Sequence, residues 1–495
     1  MRQGLMAPAG QEERTHEEAM RMHRRRPGLP VPAVARRGTR GPRQRLLGPP
    51  ARTLRRALVV PAHHSSQLSP VVARFRRRAT VPGSVAEGDF RRFWWAGTTD
   101  ALGTQTSGLA LPLLLLALGS SPATVGMVAG VSAGCGILMG PFAAVLADRG
   151  ARKTVMVSAA LVAAGAVAFV ALGTLLGEPP LWQLVAAVIV ERTATSCQAA
   201  ASAGTVAALV PAARYPWAVS RLQAGEQAGL VVGPVLGGAL FQLARWLPFL
   251  ADALSYLISA LCVASMRADL RTRRDGETEA GRPATAGGLA AAGRGFLREL
   301  GAGAAFVRRE PFLRFVVLWS SMMSLLLAAL SYGTIFTLQN AGAGGGPVGA
   351  VLAVAGAAGL AGALLAPRLA HALPGARLVI AVSWLLVVPT VGLSLTTRVW
   401  ACALLFGAIS LLLPAAAVVL QSRAVEVTPH ELQSRTGTVL ATATGLAAAA
   451  GPVAAGGVAA VGGTGGTALC CAAAFAVLAL WSTRRAPGVL GKEPA

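Results

Sequence analysis

The sequence has 495 residues, 54% of them hydrophobic and only 13% charged, and its mean hydropathy is +0.57. A soluble protein of this length needs more charge to cover its surface, so the composition places the chain among membrane proteins. The formal net charge of +24 does not point to nucleic acid: 20 of the 45 basic residues precede Phe93, and most of the others sit in short loops between apolar stretches.

Residues 1–88 are rich in Arg, Pro and Gly, with one short apolar run around Ala57–Pro61 that is too short for a signal-peptide core. They are expected to form a disordered basic extension on the cytoplasmic side, or to precede a true start nearer Val85. From Phe93 on, the chain breaks into apolar stretches of about 20 residues, the length a helix needs to cross the hydrocarbon core. The expected spans are 93–118, 122–146, 154–177, 181–208, 219–244, 247–266, 313–339, 347–366, 377–396, 399–421, 437–460 and 464–483.

The loops set the orientation. On alternate connections lie Arg149, Arg152 and Lys153; Arg214 and Arg221; ten arginines between Arg267 and Arg314; Arg368 and Arg377; Arg423 and Arg435; and Arg484, Arg485 and Lys492. The other connections hold only Arg245 and Arg398. Positive loops stay inside, so an all-α membrane protein of twelve transmembrane helices with both termini cytoplasmic is expected. A polar segment at 267–312 separates an N-terminal six-helix half, 89–266, from a C-terminal half, 313–484, and 485–495 form a cytoplasmic tail.

The two halves repeat. "GPVLGG" at 233–238 recurs as "GPVAAGG" at 451–457, Pro211 matches Pro429, and "AAVLADR" at 143–149 matches "GALLAPR" at 362–368. All three pairs are offset by 218 or 219 residues. Two such repeats are a transporter architecture, with the substrate site between the halves near the bilayer midplane.

The segment "GPFAAVLADRGARKTVM", residues 140–156, resembles the loop signature of the major facilitator superfamily. Asp148, Arg149, Arg152 and Lys153 fall on its positions, and Ala151 replaces the usual glycine. An acid at a helix end can pair with arginines or with a neighbouring helix N-terminus, and the resemblance implies that this loop is a conformational gate. "GEQAGLVVGPVLGG" in the fifth span resembles the Gly/Pro motif of the exporter branch of the same superfamily, with Gly233, Pro234, Gly237 and Gly238 on matching positions. There Pro234 removes a backbone hydrogen bond and the glycines permit a hinge and close packing. Across residues 89–485, passages such as "FRRFWWAGTTDALG" and "PFLADALSYLISAL" are similar to the macrolide-efflux and enterobactin-exporter subfamily. Where that subfamily often has Gly-Asp in the first helix, this chain has Gly103-Thr104, with Asp100 one turn earlier.

Charge inside a bilayer costs about 3 kcal/mol or more, so ionisable residues there are candidates for function. They are Asp100, Glu191, Arg192, Glu226 and Asp252. Glu226, two turns before Gly233, is the first candidate for a protonatable coupling residue, on the expectation that it is buried; Asp100, Arg192 and Glu191 are the others. Arg192 is placed to pair with Glu226 or Asp100 and resembles the fourth-helix arginine of proton-coupled family members.

These readings imply a secondary transporter that exports a small amphipathic molecule, such as a drug, a siderophore or a secondary metabolite, in exchange for protons. It would be a monomer in the inner membrane, with the lipid bilayer and protons as its other partners and no nucleic acid. An importer or uniporter shares the gate loop; the fifth-span motif favours export. No G-x-x-x-x-G-K-[ST] loop exists to hold ATP, and no catalytic cluster or metal-ligand spacing of the six cysteines and six histidines occurs. Neither enzymatic activity nor a cofactor is expected.

Overall fold

A computed structural model describes residues 83–149, 152–268, 270 and 289–490. Most of the N-terminal extension, much of the central polar segment and the last five residues of the tail lie outside them. Among the described residues all regular structure is helical. The helices are α1 (Gly83–Ala117), α2 (Pro122–Arg149), α3 (Arg152–Leu176), α4 (Leu181–Ala203), α5 (Thr205–Leu209), α6 (Tyr215–Leu243), α7 (Leu247–Ala264) and α8 (Leu289–Arg309). Then come α9 (Pro311–Asn340), α10 (Gly345–Ala372), α11 (Gly375–Leu385), α12 (Val387–Ser394), α13 (Val399–Val427), α14 (His430–Gly462) and α15 (Thr464–Leu490).

Ten of the twelve expected spans are long and apolar enough to cross a membrane: α2, α3, α6, α7, α9, α10, α11 with α12, α13, α14 and α15. The first and fourth, on α1 and α4, are long enough but not apolar enough. The reason is their cargo: α1 carries Asp100 within a Thr/Gln/Ser-rich stretch, and α4 carries Glu191 and Arg192 followed by Thr, Ser and Gln. Both are packed inward, α1 on α6 and α7, α4 on α2 and α3. Large apolar side chains meanwhile face outward, among them Leu176, Leu364, Leu395 and Val461. Such an apolar exterior suits lipid, not water.

Two spans break for local reasons. The ninth becomes α11 and α12 because Pro389 offers no N–H and its ring crowds the Leu385 carbonyl, four residues back. The fourth ends at Gly204, beyond which only the short α5 follows. α1 begins at Gly83, ten residues before the expected span, and the polar segment contains α8, a helix that the hydropathy pattern did not announce.

The packing scheme occurs twice. α1 lies on α6 and α7 as α9 lies on α14 and α15; α2 lies on α4 as α10 lies on α13; α3 lies on α7 as α11 and α12 lie on α15. The two sets meet through α2 with α14 and through α6 with α10. α8 rests on α14 and touches α2, so it spans the same junction.

Candidate functional site

The charged residues of α1, α4 and α7 converge. Asp252 of α7 is fully buried and Glu191 of α4 is 5% exposed, while Asp100 and Arg192 are half-buried. The link between them is Tyr256, fully buried one turn beyond Asp252. Its hydroxyl lies 3.0 Å from Glu191 Oε1 and 3.1 Å from Thr104 Oγ1 of α1. Asp252 accepts a bond from Ser255 Oγ at 3.2 Å through Oδ1, and its Oδ2 has no partner among the described residues; nor has Asp100 Oδ1. Gly103 makes room for this corner, since a Cβ there would overlap Asp252 Oδ1 and Ser255 Oγ. The Asp252 carboxylate of α7 thus lies against the Gly103 position of α1.

Two cavities meet at this cluster. A vestibule of about 630 Å³ is lined by Asp100, Thr104, Gln105, Arg192 and Glu226. A chamber of about 300 Å³ has aliphatic walls broken by Ser107, Ser132, Glu191 and Arg192, with Tyr332 of α9 and Pro452 of α14 closing it from the C-terminal set. Among the described residues Arg192 is the one cation on either wall, and it stands on both. Among the described residues it has no carboxylate within 4 Å, so neither Asp100 nor Glu226 pairs with it directly. Glu191, Tyr256, Tyr332 and Asp252 are nonetheless within its electrostatic reach. Glu226 is not buried as expected: it is exposed on the vestibule wall, because α6 turns that face to open space. Tyr256 and Tyr332 carry no signature of their own, yet the chain has only three tyrosines, and two of them lie in apolar spans.

The loop between α2 and α3 is described in part. The side chains of Asp148 and Arg149 lie outside the described residues. Arg152 donates to the Gly204 carbonyl at 3.1 Å, and Lys153 donates to the Met266 carbonyl at 2.7 Å. Both cations therefore cap ends of helices of their own set, α4 and α7, where carbonyls lack intrahelical donors. Nearby, the buried Asp89 carboxylate accepts from the backbone N–H groups of Arg267 and Ala268 at 3.0 and 2.7 Å, and Arg92 bonds it at 2.9 Å.

The Gly/Pro motif has two jobs, repeated in each set. α6 runs through Pro234 as an unbroken helix. Gly233 and Gly237 let α6 press on α1: a Cβ on Gly233 would lie 3.2 Å from the Leu102 oxygen, and one on Gly237 would lie 2.5 Å from the Thr106 oxygen. Gly238 faces the other set, where a Cβ would overlap the Gly345 carbonyl, and one on Gly349 would overlap the Pro234 carbonyl. The second copy does likewise. A Cβ on Gly451 would lie 2.7 Å from the Leu325 oxygen of α9, one on Gly456 would overlap the Pro122 carbonyl, and one on Gly126 would overlap the Pro452 carbonyl. Gly126 and Gly345 are themselves 219 residues apart, as are Gly130 and Gly349.

The profile of the Major Facilitator Superfamily matches residues 93–424, about two thirds of the chain. No curated protein sequence matches. Among solved structures, the chain is similar to a bacterial homologue of the human lysosomal transporter Spinster in an inward-facing, unoccupied conformation (TM-score 0.65, 14% identity, 84% of this chain and 100% of that one). It is similar also to the nucleoside transporter NupG (0.65, 11%, 80% and 99%) and to a POT family transporter in complex with a thioalcohol-conjugated peptide (0.63, 13%, 81% and 96%). At these identities the likeness is one of fold. The chain is a multi-pass membrane transport protein that belongs to the major facilitator superfamily.

Proposed function

We propose that this protein exports a small amphipathic molecule across the bacterial inner membrane in exchange for protons, by alternating access between two six-helix halves. The observation that carries the reading is the set of Asp100, Glu191 and Arg192 on the walls of two adjoining cavities, one of which receives walls from both helix sets, with Asp252 fully buried in α7. Carboxylates in a membrane core that take up and release protons change the local charge, and a charge change can bias a two-state packing.

With the arginine-rich loops inside, α1 and α4 complete a set of twelve spans and both termini are cytoplasmic. The Gly238–Gly345 and Gly126–Pro452 contacts then close the outer side, and the vestibule faces inward. Glu226 and Asp100 meet protons on the vestibule wall, and Glu191 holds the deeper position. The loop bearing Asp148, Arg149, Arg152 and Lys153 serves as the inner gate, and the Gly233–Gly238 motif as the surface on which the halves pivot. The efflux subfamily fits through the passages it resembles, and a monomer suffices, since both halves lie in one chain.

The test is efflux from cells loaded with a transported compound. Collapse of the proton gradient by an uncoupler stops efflux on this reading; unchanged efflux contradicts the coupling.

A further inference from the structure

Tyr256 is fully buried and lines neither of these two cavities. Its hydroxyl nonetheless joins three helices, from α7 to Glu191 of α4 at 3.0 Å and to Thr104 of α1 at 3.1 Å. A tyrosine hydroxyl has one hydrogen to give. Beside an ionised Glu191 it must donate to the carboxylate, and its oxygen is left to accept from Thr104. When Glu191 carries a proton, the carboxyl can donate to the tyrosine oxygen, and the tyrosine hydrogen turns toward Thr104.

We propose that Tyr256 is a positioning residue that passes the protonation state of Glu191 to α1, by reversing the direction of the Glu191–Tyr256–Thr104 hydrogen bonds. The inference rests on the proton-coupled reading above and gives it a mechanical output. Thr104 lies one turn from Asp100 on the vestibule wall. Two residues on, Thr106 donates to the Gly233 carbonyl at 3.3 Å, where α1 bears on α6 and so on the junction with α10. The other titratable groups that face the pair are Asp100 of α1, Arg192 and Cys197 of α4, Asp252 of α7 and Tyr332 of α9. Glu226 of α6 stands across the vestibule. Among the described side chains α2 adds Cys135, and α3 adds none beyond Arg152 and Lys153. A bond to an ionised group is worth more than a neutral one, so the direction reversal carries a real energetic difference.

The probe is the proton alone. Hydrogen–deuterium exchange of the full chain in liposomes, corrected for intrinsic rates, is followed across a pH series at α1, α4, α6 and α10. The wild type is expected to show a pH-dependent change in protection with a defined midpoint. Tyr256→Phe keeps the ring but removes the link, and its midpoint should differ from that of the wild type, because ionised Glu191 loses its donor. Thr104→Val should lose the response at α6 and α10 while keeping a response at α4. A Tyr256→Phe midpoint equal to that of the wild type overturns this inference and leaves the coupling reading standing. A wild type without any pH response overturns both. If Tyr256→Phe does not fold, Thr104→Val decides: an α6 response equal to the wild type's overturns the proposal.

Discussion

A methyl group on Gly349 of α10 would run into the carbonyl oxygen of Pro234 on α6, and one on Gly126 of α2 would run into that of Pro452 on α14. The two contacts correspond: Pro234 and Pro452 are equivalent in the repeat, and each carbonyl meets the fifth residue of the helix it faces. A sequence motif read as a hinge is therefore also a docking surface between the two helix sets.

Gly349→Ala and Gly126→Ala should each destabilise this closed junction by about 1–3 kcal/mol, the usual cost of overpacking. That shifts the balance of states roughly 5- to 150-fold. Gly457→Ala is the control, since nothing lies within 4 Å of its Cβ position. Labelling rates of cysteines placed at the starts of α2 and α10 measure the effect: faster in the first two variants, unchanged in the third.

Asp89 is expected to matter for folding and not for transport chemistry. Its buried carboxylate satisfies two backbone N–H groups beyond α7 and pairs with Arg92. Asp89→Ala should cost about 2–4 kcal/mol, since it orphans those donors and the arginine. Thermal melting in detergent should show a clear fall, while any protein that remains folded transports normally.

Arg152→Ala and Lys153→Ala should separate a gate from a brace. Each removes one charged cap on a helix end, worth about 1–2 kcal/mol. A modest drop in melting temperature is expected from each. A loss of transport larger than that drop explains would assign the loop a gating role through contacts made in another state.

Glu191→Gln should abolish proton-driven transport while leaving exchange of substrate across the membrane intact. Glu226→Gln, on the open wall, should do less: a loss of about tenfold or less in rate, as for one screened charge. Efflux assays at matched protein levels in cells compare the two, and equal losses would move the coupling role to Glu226.

The fold was legible in the sequence because apolar runs and loop arginines report directly on the bilayer. The constant offset exposed the repeat for the same reason: Gly and Pro at close contacts have no substitute. The site was legible only in outline. Asp100, Glu191, Arg192 and Asp252 stand out as charges in apolar runs, but which of them meet depends on helix rotation, and a chain rich in Ala and Gly gives little amphipathic pattern to fix that. Glu226 was misplaced toward the interior for this reason. Tyr256 escaped notice because a single buried tyrosine in a helix reads as packing, and its role depends on two partners 65 and 152 residues away.

The central claim is exchange of a small amphipathic molecule for protons through the Glu191 cluster. Purified protein in liposomes loaded with a pH-sensitive dye, challenged with a panel of amphipathic compounds, tests it most directly. The account predicts that at least one compound drives proton movement in the direction opposite to its own, and that Glu191→Gln removes the proton signal. Transport of a compound with no proton movement, or with protons moving alongside it, would contradict the account.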